Sequence, residues 1–397
     1  MNIIIYRGTH QIGGCVTEIS TAKTRLIIDF GKELTDENNI KNHNTLMING
    51  VSKKDKTQKC DGVLFTHYHD DHMGLIDEII SGVPLYMGEA SKEIYYANEN
   101  HKRTVPLDTI KKISTFKNGE RFLIGDIYVT PIMVDHSAFD AYMFLIEAEG
   151  KKVLHTGDYR GHGIKGYSLL SDLKRNAGVV DVVITEGTTL SKPKQIIKTE
   201  KELEEAASFL LNQYKYVFVI CSPTNIDRIS SFLDATSKSK YFICDSYQME
   251  ILDIARKYGS IYSSNYKFAN VIQLNKDLEI EKRGFTMVVR ANRKFERIME
   301  NYKNNFQEST LVIYSMWSRY LKKAESSANK LLKGFKYVVK LHTGGHGSVD
   351  FIEQVCSALQ PTTAVIPIHT EKPENIKLGK YQNKLVLLND GEKYSIE

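Results

Sequence analysis

Four residues able to bind a cation fall within six consecutive positions: His67, His69, Asp71 and His72, in the string THYHDDHMG. A continuous apolar run at 62–66 leads into them, and Leu75, Ile76, Ile79 and Ile80 follow at helical spacing. The pattern predicts a strand-to-helix junction with the histidines on it. On the extended side, His67 and His69 are two apart and can point to one side of the chain. On the turning side, Asp71 and His72 can aim at a second point nearby. That is the geometry for two adjacent metal ions. Imidazole and carboxylate suit Zn²⁺ or Mn²⁺ better than Ca²⁺, and the absence of cysteine from the string argues against a purely structural zinc. An exposed polar turn is the bland alternative, but three of the chain's 12 histidines crowd into these positions.

Residues 2–29 read as antiparallel strands that close with LIIDFG, and residues 32–59 as polar and irregular. Further strand-like segments stand at 127–134, 141–148, 152–156 and 179–185. From Thr199, helix and strand alternate: a helix over 200–214, strands at 216–221 and 241–244 with a helix from Asp227 between them, and short strands at 287–290, 310–314 and 337–341. This rhythm suits a small parallel α/β unit. A helix over 349–359 and strands at 364–368 and 384–388 complete the pattern.

A length of 397 residues allows two moderate domains or one enlarged α/β domain. No apolar run approaches the roughly 20 residues of a membrane-spanning helix. MNIIIYRG reads as a strand rather than a signal peptide, and five scattered cysteines without a CxxC pair read as free thiols, so the expectation is a cytoplasmic protein with no membrane partner. The net charge of +5 is uneven, with +10 over residues 192–340 and −5 elsewhere. A basic middle suits a polyanionic partner, although a solvated lysine-rich surface would give the same balance.

THYHDDH matches the HxHxDH signature of the metallo-β-lactamase fold. VDHSAFDAY with His136, HTGDYRG with Asp158, and IPIHTE with His369 fit that fold's remaining metal motifs in the expected order. ITEGT with Glu186, SPTNIDRISSFL from Ser222, and HTGGHGS with His346 resemble the motifs of β-CASP nucleases. The resemblance spans nearly the whole chain and is similar to that of the ribonuclease J and pre-mRNA 3′-end-processing endonuclease families. It implies an α/β fold, an αββα metallo-β-lactamase sandwich over 1–195 and 341–397 interrupted by a parallel α/β β-CASP domain at 196–340.

The resemblance further implies two divalent metal ions, zinc before manganese. His67, His69 and His136 would hold one, Asp71, His72 and His369 the other, and Asp158 would bridge. His346 would contact or protonate the scissile phosphate, and Glu186 would orient a ligand histidine, with His72 the first candidate. Asp71, His346 and Glu186 are thus the catalytic candidates. Thr343, Gly344, Gly345 and Ser348, around Gly347, could offer backbone N–H groups to a phosphate. The basic run Arg283, Arg290, Arg293, Lys294 and Arg297 is interleaved with Phe285 and Phe295, and Arg290 and Arg293 are candidate contacts for single-stranded RNA.

The expected activity is hydrolysis of single-stranded RNA, as endonuclease or 5′ exonuclease. A small-molecule hydrolase on the same fold would leave the basic middle and His346 unexplained, and a catalytically silent RNA-binding subunit would be expected to have lost ligands. MVVRAN and LVIYSMWSRYL depart from the strings familiar in ribonuclease J, and with no room after Glu397 the C-terminal domain of that enzyme is not expected. Those departures bear on 5′-end specificity and on a homodimer, and leave the metal motifs untouched.

Overall fold

The computed structural model describes residues 1–34, 46–55, 59–192, 197–275, 278–321 and 326–397. Much of the polar stretch 32–59 therefore lies outside the described residues. The chain divides into two compact units, Met1–Ile196 with Gly345–Glu397, and Ile197–Gly344.

The first unit is built on two sheets. A seven-stranded sheet runs Lys393–Ser395, Asn2–Arg7, Val16–Ser20, Arg25–Ile28, Gly62–Leu64, Leu85–Gly88 and Ser114–Phe116. A six-stranded sheet runs Ala364–Ile368, Val182–Glu186, Lys151–His155, Ala141–Ala148, Ile127–Val134 and Phe122–Ile124. Alternate residues of the first sheet (Ile3, Ile5, Ile19, Leu26, Ile28, Leu64) pack in one cluster with Ile127, Val129, Phe144, Ile146, Val153, Val182 and Ile184 of the second. Each such side chain contributes about 1.5–3 kcal/mol by leaving water. The other face of the second sheet carries helices Leu169–Asn176 and Val349–Leu359 around Leu173, Val183, Ile352 and Val365. Helix Glu89–Lys102 packs on Leu85–Gly88 and Ser114–Phe116 of the first sheet. Among the described residues no helix is long and apolar enough to cross a membrane.

Ala364–Ile368 lies parallel to Val182–Glu186 with Ile368 opposite Glu186. The two strands on either side of the long excursion 197–344 thus end side by side. The expected helix after His72 is broken: Asp70–Met73 makes one turn, Ile76–Glu78 a 3₁₀ turn, and Ile79 is extended. Its backbone is used elsewhere, since Lys53 N donates to Glu78 O and Ile80 N to Val51 O. The expected strand at 384–388 is only a single bridge, Val365 to Leu385. The pairing of Lys393–Ser395 with Asn2–Ile4 was not foreseen.

The second unit is a six-stranded, all-parallel sheet in the order Val271–Gln273, Tyr241–Cys244, Phe285–Val289, Tyr216–Ile220, Thr310–Tyr314, Tyr337–Lys340. Helix Glu200–Gln213 opens with a capping box, Thr199 and Glu202 each satisfying the other's backbone N–H. One sheet face (Phe285, Met287, Val289, Phe218) packs against Phe295, Met299 and Tyr302 of helix Arg293–Asn305. Phe285 and Phe295 are both fully buried, so they build the core and are not available to stack on a base. At the heart of this unit, Arg228 is fully buried and donates to both Glu200 carboxylate oxygens at 2.9 Å, to Ser315 Oγ and to Thr343 O. Arg228→Ala would strand the Glu200 carboxylate in the interior. Denaturant unfolding should show a loss of about 3–5 kcal/mol in this unit, and a loss under about 1 kcal/mol would mean that the network is not structural.

Candidate metal centre

Four strands of the first unit's second sheet deliver a polar residue at their last position or within three residues beyond it. Ile127–Val134 is followed by His136, Lys151–His155 by Asp158, Ala364–Ile368 by His369, and Val182–Glu186 ends on Glu186 itself. Apolar alternation fixes which strand residues face the core and leaves the strand ends free to carry charge. The first sheet contributes the segment after Gly62–Leu64: His67, then His69 in extended backbone (φ −72°, ψ 147°), then Asp71 and His72 in the short helix. Gly157 is required here, because it adopts φ +52° and a Cβ would stand 2.8 Å from Thr66 Cβ.

Two groups of donors result. His67 Nε2 lies 3.0 Å and His136 Nε2 3.2 Å from His69 Nδ1. His369 Nε2 lies 3.2 Å from Asp71 Oδ2, and His72 Nε2 lies 3.1 Å from Asp158 Oδ2. The same Asp158 oxygen is 3.9 Å from His67 Nε2, 3.9 Å from His136 Nε2 and 3.8 Å from His369 Nε2. Apart from His69 and Asp71, these side chains are at most 2% exposed. All seven residues of the expected ligand set therefore come together, with Asp158 between the two groups.

The outward ring nitrogens of three histidines are each held by a group of the protein. His72 Nδ1 is 2.7 Å from Asp29 Oδ2, His136 Nδ1 donates to Gly345 O at 2.6 Å, and His369 Nδ1 is 2.7 Å from Thr188 Oγ1. Each contact engages Nδ1 and leaves Nε2 facing the centre. The partner of His72 is thus Asp29 and not Glu186, which corrects the expectation. Asp29 is fully buried at φ 61°, and both its oxygens also take hydrogen bonds from Thr66 Oγ1. The signal in the sequence was a carboxylate ending the apolar run LIID.

Glu186 faces His346. Its Oε2 is 3.2 Å from His346 Nδ1 and accepts from Thr188 N, while Oε1 accepts from Gly347 N at 3.1 Å. Against the cost of burial, Glu186 and then Asp158 raise the His346 pKa to about 9. Gly347 N and Gly345 O are therefore committed within the protein. Ser348 caps helix Val349–Leu359 by accepting from Phe351 N. Thr343 and Gly344 belong to the second unit, where Thr343 Oγ1 donates to Lys198 O. Arg290 makes a bidentate pair with Asp245 at 3.0 and 2.7 Å, whereas Arg293 is exposed.

The donors fit divalent cations. Burial holds His67, His69 and His136 below the ordinary histidine pKa, which favours the neutral form that a cation would need. The separations of 3.0 and 3.2 Å from His69 Nδ1 to the other two nitrogens approach the spacing of about 3.3 Å around a tetrahedral ion with bonds of about 2.0–2.1 Å. Asp158 Oδ1 is buried without a hydrogen-bond partner, a costly arrangement that a cation would relieve. Burial opposes ionisation of Asp158, yet His369, His72 and His346 hold it well below the usual carboxylate range.

The family model of the beta-lactamase superfamily domain matches residues 24–214. Ribonuclease J of Helicobacter pylori is 23% identical over 430 aligned positions, covering 98% of this chain and 60% of the relative. The chain thus spans about 60% of the length of that relative. Endoribonuclease ysh-1 of Neurospora crassa is 27% identical over 154 positions, 32% of this chain and 17% of the relative. A crystal structure of a protein of unknown function from Enterococcus faecalis superposes with a TM-score of 0.79 at 20% identity, covering 99% of both chains. The domain match over residues 24–214 and these relatives, set on the HxHxDH segment and the polar residues at the strand ends, show that the chain is similar to metallo-β-lactamase-fold proteins, ribonuclease J among them.

Proposed function

We propose that the protein is a metal-dependent ribonuclease that hydrolyses phosphodiester bonds of single-stranded RNA. The observation that carries this reading is Asp158 Oδ2 within 3.9 Å of four ring nitrogens belonging to two donor groups. The alignment to ribonuclease J over 98% of the chain supports RNA as the polymer. So does the +10 balance over residues 192–340.

His67, His69 and His136 would hold one divalent cation, Asp71, His72 and His369 a second, and Asp158 both. Two cations bound there would supply charge for the scissile phosphate and acidify an attacking water. The protein's own residues do the rest. Asp29, Gly345 and Thr188 orient the histidines. His346, 25% exposed and charged, keeps its Nδ1 proton on Glu186 and turns Nε2 to the departing ribose oxygen as the proton donor. Glu186 is a positioning residue that maintains the charge on His346.

Metal-loaded protein should shorten end-labelled single-stranded RNA carrying 5′ hydroxyl, monophosphate or triphosphate ends, and Asp158→Ala should not. Product sizes separate internal cutting from 5′ trimming. Turnover of a thioester or lactone with intact RNA would instead establish a small-molecule hydrolase. Replacing Asp29 by Ala should weaken cation affinity by roughly 10- to 100-fold, read by chelator competition, and unchanged affinity would remove it from the centre. His346→Ala should retain both cations and lose roughly 10²- to 10⁴-fold in single-turnover rate. Because Glu186 stabilises the charged imidazole, Glu186→Gln should move the alkaline fall of the rate to lower pH. An unmoved limb would assign that titration elsewhere. Arg293→Ala with Arg297→Ala, both exposed, should flatten the salt slope of RNA binding by about 1.4 in log–log units. An unchanged slope would move the RNA path off this helix.

A further inference from the structure

We infer that His10 reads the sugar of the substrate, its Nε2 accepting a hydrogen bond from a ribose 2′-hydroxyl beside the scissile phosphodiester. This rests on the ribonuclease reading above. His10 belongs to none of the metal or β-CASP motifs. It stands on the loop between strands Asn2–Arg7 and Val16–Ser20, where Gln11 and Ile12 are half-buried, the other loop residues are buried and His10 is exposed.

That loop borders the donor group of Asp71, His72 and His369. Gly8 O accepts from His369 N at 2.7 Å, and Cys15 N donates to Asp71 O at 3.0 Å. Between them Gly13 passes so close that a Cβ there would stand 3.0 Å from Asp71 Cβ. Buried Arg7 donates to Gly14 O and Gly31 O, and Gln11 Nε2 donates to Gly13 O, so the loop is held by its own hydrogen bonds. A phosphodiester seated at the centre would set a flanking ribose beside it.

The His10 imidazole is oriented by a relay of side chains. Buried Thr9 donates its N–H at 3.0 Å and its hydroxyl at 2.7 Å to Asp390 Oδ1. The hydroxyl has one proton, and Asp390 takes it. The Thr9 oxygen, 3.0 Å from His10 Nδ1, is therefore the acceptor, and Nδ1 carries the hydrogen. The neutral ring then holds its lone pair on Nε2. A solvated loop histidine needs no such anchoring, whereas a ring that must present an acceptor does. An ionised phosphodiester has no proton to give to that lone pair, but a 2′-hydroxyl has one, and it is the group by which a protein tells RNA from DNA.

Cleavage of a short single-stranded RNA by the metal-loaded full chain tests the assignment. The comparison substrate carries 2′-fluoro nucleotides on both sides of the mapped cut, which keep the sugar pucker and have no proton to donate. Wild type should lose roughly 3- to 10-fold in kcat/KM on the fluoro substrate, the weight of one hydrogen bond. His10→Ala should lose a similar factor on RNA and cut both substrates alike. His10→Gln, which restores an acceptor, should recover part of the preference. Both variants replace an exposed side chain and should melt with the wild type. Equal cleavage of the two substrates by wild type, or an undiminished preference in His10→Ala, would overturn the role of His10 and leave the ribonuclease reading standing. A wild type that cuts no RNA would overturn both.

Discussion

Asp158 is a carboxylate at 2% exposure with several imidazoles turned toward one of its oxygens, and that interaction organises the first unit. Desolvating the charged form is expensive, and burial alone would push its pKa up. The surrounding histidines reverse the sign, and one of them, His72, is itself held charged by Asp158 and Asp29 against its own burial. Without cations the centre balances on these pairs. With cations the same lone pairs would face positive charge directly, and the protons would be superfluous.

The positions of those lone pairs are set by groups outside the donor sets. Asp29, Gly345 O and Thr188 each take the outward nitrogen of a histidine, and Asp29 also holds Thr66 at the head of the HxHxDH segment. Two of the residues concerned, Asp29 and His369, sit in left-handed backbone that side chains other than glycine rarely adopt. Such strain persists where the surroundings over-determine it, here through Thr66 N bonding Asp29 and His369 N bonding Gly8 O. The sheets supply rigidity, and the strand ends supply chemistry.

Charge in the second unit is arranged differently. Arg228 is consumed in a buried network and Arg290 is paired with Asp245, so net charge overstates what is available to a polyanion. Arg293 and Arg297 are exposed on a helix whose other face is Phe295, Met299 and Tyr302, and stay at the surface. The phenylalanines whose interleaving with arginine suggested base stacking are instead core residues, Phe285 of a strand and Phe295 of that helix.

The sequence by itself determined the candidate donor types, their order along the chain and most strands, because HxHxDH spacing and apolar alternation are local patterns that short-range geometry must obey. Strand limits at Ala141–Ala148, Thr310–Tyr314 and Ala364–Ile368 follow directly from such runs. Only the tertiary structure decided which carboxylate serves which histidine. Asp29 meets His72 across 43 positions and Glu186 meets His346 across 160, separations at which no periodicity carries information. It also decided that the apolar spacing at 75–80 would not become a helix, since the loop at 51–53 claims that backbone, and that Cys15 would lie beside His72 and His369. Contacts of this kind depend on how two sheets stack and how their ends converge, and packing makes that choice only once the whole chain is in place.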